Sequence, residues 1–143
     1  MPGMRWQAFG ATLTDKAAKA LSSKVGQTQI IGQVEILPVV VAKEIWSKEI
    51  SSRKVIYFID NDSARLALIK GYSPVLQSLK LIMQAAKFDA SNMSASWYAR
   101  VPTSSNPADA PSRMCAVELH KKGALLVEPK LFGSSDWFAD VLR

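Results

Sequence analysis

Apolar residues recur along this chain with two different periods, and each period predicts an element. From Gln29 to Ile50, Ile30, Val34, Leu37, Val41 and Ile45 are spaced by three or four positions, the pattern of a helix with one face against a core. Pro38 lies inside it. It removes one backbone hydrogen bond and crowds the preceding turn, so a kink near Val34 is expected at about 3 kcal/mol. Val55 to Ile59 is an uninterrupted apolar run ending on Asp60 and Asn61, which predicts a strand buried on both faces. A short helix follows, capped at its start near Asn61 and stopped by Gly71. Ser73 and Pro74 then open another helix that carries Val75, Leu76, Leu79, Ile82, Met83 and Ala86 inward. Ala95 to Val101 is a further strand, ended by Pro102.

The flanks are less regular. Trp6 to Thr14 suits a strand, with Gly10 as a bulge or a close backbone approach. The Lys, Ala and Ser mixture from Asp15 to Gly26 fits either a helix by propensity or a short hairpin strand by position. Gly123 to Val127 reads as a short strand or an extended packing segment, and Ser135 to Leu142 as a last helical turn or two. Strand, helix, strand, two helices, strand is the order of an α/β chain in which helices cover a mixed sheet. No internal repeat or low-complexity segment interrupts it.

With 143 residues, 48% of them hydrophobic, the chain has material for one domain with a core. No apolar run approaches the roughly 20 residues of a membrane helix, and the start of the chain lacks the basic-then-apolar order of a signal peptide. The expectation is a soluble intracellular protein, cytoplasmic or nuclear, with no membrane partner. Cys115 is the single cysteine and His120 the single histidine, too few for a disulfide or a structural zinc site. The net charge of +6, spread through the chain, makes nucleic acid the leading candidate partner.

Three carboxylates come from three different elements. Asp60 stands at the C-terminal edge of a strand, where open α/β sheets place their chemistry. Glu35 shares a helical stripe with Ile31, Val39 and Ala42, so its charge needs a partner, a metal or water; a glutamate at the rim of the buried face is the simpler alternative. Asp109 lies in the loop from Val101 to Arg113, where Pro102, Pro107 and Pro111 fix the backbone; that loop is either a holder for Asp109 or a plain surface connection.

Three blocks in order carry a resemblance: Ile30 to Val39 around Glu35; Val55 to Asn61 with Ala64 and Leu68 to Gly71 behind it; and Arg100 to Pro102 with Asn106 to Arg113. Over residues 1–113 the chain resembles the ribonuclease H domain that follows the reverse transcriptase in retroelement polyproteins, and residues 114–143 read as a C-terminal extension of the same domain. The resemblance implies a five-stranded mixed sheet with flanking helices. It implies an endonuclease hydrolysing the RNA strand of RNA–DNA hybrids with two Mg²⁺ (or Mn²⁺) ions, and an upstream reverse transcriptase domain as a partner. Glu35, Asp60 and Asp109 match the second, third and fourth metal-binding positions of the family. Two hard cations need several carboxylate oxygens from different elements, which suits this set. Asn61 is placed to orient a phosphate or a carboxylate, and Asp62 reads as a helix N-terminal charge.

The family's first carboxylate sits in an opening strand ahead of the segment matched by Trp6 to Leu13. Asp15, the only acidic residue before Glu35, falls on the wrong side of it. By comparison with the family the chain therefore reads as N-terminally truncated, lacking the first strand and one metal ligand, and its nuclease activity is expected to be weak or absent. His120 follows Asp109, so it is not assigned the proton-transfer role of the loop histidine in some members. A non-catalytic module or retroelement remnant gripping duplex backbone is the alternative, with Lys43, Lys48, Arg53, Lys54, Arg100 and Arg113 as candidate phosphate contacts. A recombinase or exonuclease on the same fold is disfavoured by Glu35 and the Asn106 to Asp109 block.

Overall fold

The computed structural model describes residues 6–10, 15–22, 31–109, 121 and 123–127. In chain order its elements are β1 (Gln7–Ala8), α1 (Asp15–Leu21), α2 (Ile31–Ile45), α3 (Ser47–Ile50), β2 (Lys54–Ile59), α4 (Asp62–Lys70), α5 (Leu76–Asn92), β3 (Ala95–Arg100) and β4 (Leu125–Leu126). Arg113, Cys115, His120 and the segment from Ser135 to Leu142 lie outside the described residues.

The core is organised on α2. Ile36, Leu37, Val39, Val40 and Val41 are all buried, so this helix is enclosed on more than the single face its spacing predicts. The reason is that it packs against both α4 and α5. Val34, expected inward, is instead exposed beside exposed Pro38. The helix runs on through Pro38 to Ile45. The carbonyl that loses its bond is that of Val34, on the solvent side, where water can serve it. The helix expected to reach Ile50 breaks at Trp46, and α3 follows as a separate turn. At its start, Gln33 Nε2 donates to the Leu21 carbonyl at 3.1 Å, satisfying an end carbonyl of α1 and seating Ala17 and Leu21 in the core. The open choice over Asp15 to Gly26 thus falls to helix for Asp15–Leu21.

β2 and β3 pair in parallel, Lys54 against Ala95 through Ile59 against Arg100. A parallel pair needs a crossover, and α4 and α5 supply it. The Asn61 side chain caps α4 by accepting from the Ala64 N–H at 2.9 Å, and Gly71 ends it at a φ of 66°. A side chain at Gly71 would enter the left-handed region at about 1–2 kcal/mol. The next helix begins at Leu76, later than Ser73 and Pro74 suggest, because the Ser73 hydroxyl closes a local turn onto the Val75 N–H at 3.2 Å. Its buried residues are Ser78, Leu81, Ile82 and Ala85, a stripe of helical spacing turned toward α2. Leu76, Met83 and Ala86 fall off that stripe and are exposed, against expectation.

β1 and β4 form a second parallel pair, Gln7 with Leu125 and Ala8 with Leu126. The strand expected over Trp6 to Thr14 is two residues long among the described residues, and Gly123 to Val127 holds a strand. Trp46 ties β1 to the helices, its Nε1 donating to Gln7 Oε1 at 2.6 Å and its ring lying 5.6 Å from Phe9. The described strands therefore make two separate parallel pairs, without joining into one five-stranded sheet. The apolar run in β2 is covered on one face: Ile59 is buried and Val55 and Tyr57 half-buried, whereas Lys54, Ile56 and Phe58 are exposed.

Lys43 closes the core. It is fully buried on α2, and its Nζ donates to Asp89 Oδ1 on α5 and to Ser96 Oγ on β3, each at 2.6 Å. Ser96 Oγ completes the triangle by donating to Asp89 Oδ2 at 2.7 Å. The ammonium sits 4.5 Å from the centre of the Tyr57 ring, and the Tyr57 and Tyr98 rings are 5.5 Å apart. Burial lowers the lysine pKa, and the hydrogen bond to Asp89 works against that. Burial also pushes the hydroxyl of Tyr98 up to about 12 and that of Tyr57 upward. The sequence reading of Lys43 as a phosphate contact is therefore wrong: its charge is spent inside the core. Lys43→Met is expected to cost about 3–5 kcal/mol, because Asp89 is left without its cation, and Lys43→Met with Asp89→Leu to recover most of that loss. Urea unfolding of the two variants tests this; an equal loss in both would contradict it.

Candidate functional site

The ladder that fixes β3 to β2 continues past the strands, with the Val101 N–H donating to the Ile59 carbonyl at 3.1 Å. This anchors the backbone next to Asp60. The carboxylate is half-buried at the C-terminal end of β2, where the sequence places it. Glu35 is half-buried on α2. Burial pushes its pKa above the ordinary 4.5, and the charge of Asp60 pushes it further the same way. The two carboxylates thus share one electrostatic environment, built from a helix and a strand end that are distant in sequence.

Asn61, between β2 and α4, has its side-chain oxygen committed to the helix cap. Asp62 is the N-terminal acid the sequence suggests, in the first turn of α4. It accepts from Arg65 Nε at 3.0 Å and lies 3.8 Å from Arg100 Nε. That cluster of one acid and two arginines was not anticipated as a unit. The Asp62 to Arg65 spacing was a visible i, i+3 signal, whereas Arg100 arrives only through the parallel pairing.

The loop after β3 is a chain of small bonded turns. Ser105 N–H donates to the Pro102 carbonyl at 2.9 Å, the Asn106 side-chain oxygen accepts from the Ala108 N–H at 3.0 Å, and the Asp109 N–H donates to the Asn106 carbonyl at 3.2 Å. Asp109 is half-buried at its end. Among the described residues no three His, Cys, Asp or Glu side chains are gathered to hold a metal, so Asp109 does not complete a triad with Glu35 and Asp60.

A cavity of about 450 Å³ lies elsewhere, between α4, α5 and the edge of β3, with Leu68, Ile82, Asp89, Trp97, Tyr98 and Ala99 among its lining. None of the three candidate carboxylates lines it. Of the basic residues read as phosphate contacts, Lys48, Arg53, Lys54 and Arg100 are exposed. No helix among the described residues is long and apolar enough to cross a membrane.

A carboxylate whose pKa is raised on folding stabilises the fold below its unfolded pKa and loses that contribution as pH rises through the folded value. Ionised Glu35 is therefore a cost near neutrality. Glu35→Gln is expected to raise the melting temperature by a few degrees at a pH of about 7, with the gain vanishing at about 4. Thermal unfolding at both pH values checks this; a gain of the same size at both would contradict it.

No protein-family model, curated protein or solved structure matches this chain.

Proposed function

We propose that this chain is a ribonuclease H-like domain of retroelement type, whose Glu35 and Asp60 hold a divalent cation against the backbone of an RNA–DNA hybrid. Hydrolysis of the RNA strand is weak or absent for this polypeptide alone. The observation that carries the reading is that a helix-borne carboxylate, Glu35, has its pKa raised first by burial and then by the charge of the strand-end carboxylate Asp60. The parallel β2 and β3 with their helical crossover support it, since ligands of open α/β sheets gather at the C-terminal strand ends.

The residues divide the work by what already occupies them. Asp60 presents its carboxylate from a strand end held by the ladder, and Glu35 presents a second one from α2. A bound Mg²⁺ or Mn²⁺ would relieve their mutual repulsion, and it supplies activation of water and charge stabilisation of the leaving oxygen. Asp109, the third ligand the resemblance implies, is not gathered with Glu35 and Asp60 among the described residues, although its loop is braced by Asn106. Exposed Lys48, Arg53, Lys54 and Arg100 are available to the phosphate backbone. Asp15 does not replace the family's first carboxylate: it is exposed in the first turn of α1, outside any strand. The lack of three gathered ligands among the described residues is the reason to expect little turnover.

A non-catalytic module gripping duplex backbone is the second reading, favoured by the missing triad of ligands among the described residues. Cleavage of a labelled RNA–DNA hybrid in Mg²⁺ or Mn²⁺, with binding followed across a salt series, tests both. Little or no cleavage, with binding that falls steeply as salt rises, is the expected result. Robust turnover abolished by Asp60→Asn would overturn the claim of weak activity, and salt-insensitive or undetectable hybrid binding would overturn both readings.

A further inference from the structure

We propose that the open face of the β2 and β3 pair is a stacking platform for single-stranded nucleic acid. Alternate residues of a strand point to opposite faces, and among the described residues only one face is covered by helices. The other presents Ile56, Phe58 and Trp97, which are 59%, 63% and 71% exposed. Trp is among the residues most buried on average, so an indole left this open on a regular strand is not explained by the packing of the described residues. Trp97 stands opposite Ile56, and Phe58 opposite Ala99, which puts the two aromatic rings on diagonal positions of adjacent strands. Ala95 and Ala99 flank Trp97 with side chains too small to screen it.

Charge selects the occupant. The six positions on this face are Lys54, Ile56, Phe58, Ala95, Trp97 and Ala99, with one cation and no carboxylate. Exposed Arg53 lies just before β2 and the whole chain carries +6, whereas Arg100, at the end of β3, is already drawn to Asp62 at 3.8 Å. A protein surface meeting this face would gain from the apolar contact alone, whereas a single nucleic-acid strand uses both features: bases stack on the rings while phosphates meet the rim cations. Duplex bases are already stacked on each other and do not offer their faces to a sheet.

The platform is separate from the Glu35 and Asp60 site, so either can fail without the other. The test is fluorescence anisotropy with labelled oligothymidine and oligouridine of about twelve nucleotides, against an abasic strand carrying the same phosphates. The base-bearing strands are expected to bind at least about tenfold tighter than the abasic one. Trp97→Ala and Phe58→Ala should each weaken them about tenfold, and Trp97→Phe, which keeps a ring, should retain most of the affinity. Asp60→Asn should not weaken this binding. Both rings are exposed, so these truncations spare the core, and circular dichroism checks that. Equal affinity for the abasic strand, or no effect of Trp97→Ala, would overturn the proposal. So would a wild-type dimer in sedimentation that Trp97→Ala dissolves, since the face would then belong to a second copy of the chain.

Discussion

A lysine with no access to water must be answered from within the protein, and the way Lys43 is answered fixes how four elements meet. Its ammonium reaches Asp89 on α5, Ser96 on β3 and the Tyr57 ring on β2, all from the last turn of α2. A buried cation leaves little tolerance in geometry, because each lost partner exposes the full cost of desolvation. Helix α2 therefore cannot slide or rotate on the sheet without uncoupling α5 and β3 together. The candidate site inherits that constraint, since Glu35 rides on the same helix two turns earlier and Asp60 ends the strand that carries Tyr57.

Local chemistry made part of this fold legible. Asn61 and Gly71 announced both ends of α4, and Pro102 the end of β3, because a cap, a left-handed stop and a missing N–H act within a few residues. Burial was harder to read, because it depends on what packs from outside. Val34 looked inward by spacing and is exposed; Val55 to Ile59 looked buried on both sides and is covered on one. Lys43 reads as a phosphate contact by its charge, although it continues the helical stripe of Ile36, Val39 and Val40 and so stands on a buried face. The partners that make its burial possible, Asp89 and Ser96, are 46 and 53 residues away, beyond any local signal.

The candidate site divides in the same way. Asp60 was marked by its place at the end of an apolar run, and Glu35 by a carboxylate interrupting an apolar stripe. Their proximity is a product of α2 lying against the β2 and β3 layer. Asp109 shows the reverse case: its loop is ordered by the Pro and Asn residues that flagged it, yet local order does not carry it into a ligand triad among the described residues. A turn fixes its own backbone, and only long-range packing decides what it faces.

Beside the C-terminal end of β2 the charge of Asp60 acts on Glu35. Titrating the Glu35 side-chain carboxyl by nuclear magnetic resonance, in the wild type and in Asp60→Asn, tests it most directly. The account predicts a wild-type midpoint above the ordinary 4.5 that moves down, without returning fully, when the neighbouring charge is removed and burial remains. A midpoint at or below the ordinary value, or one indifferent to Asp60→Asn, would contradict it.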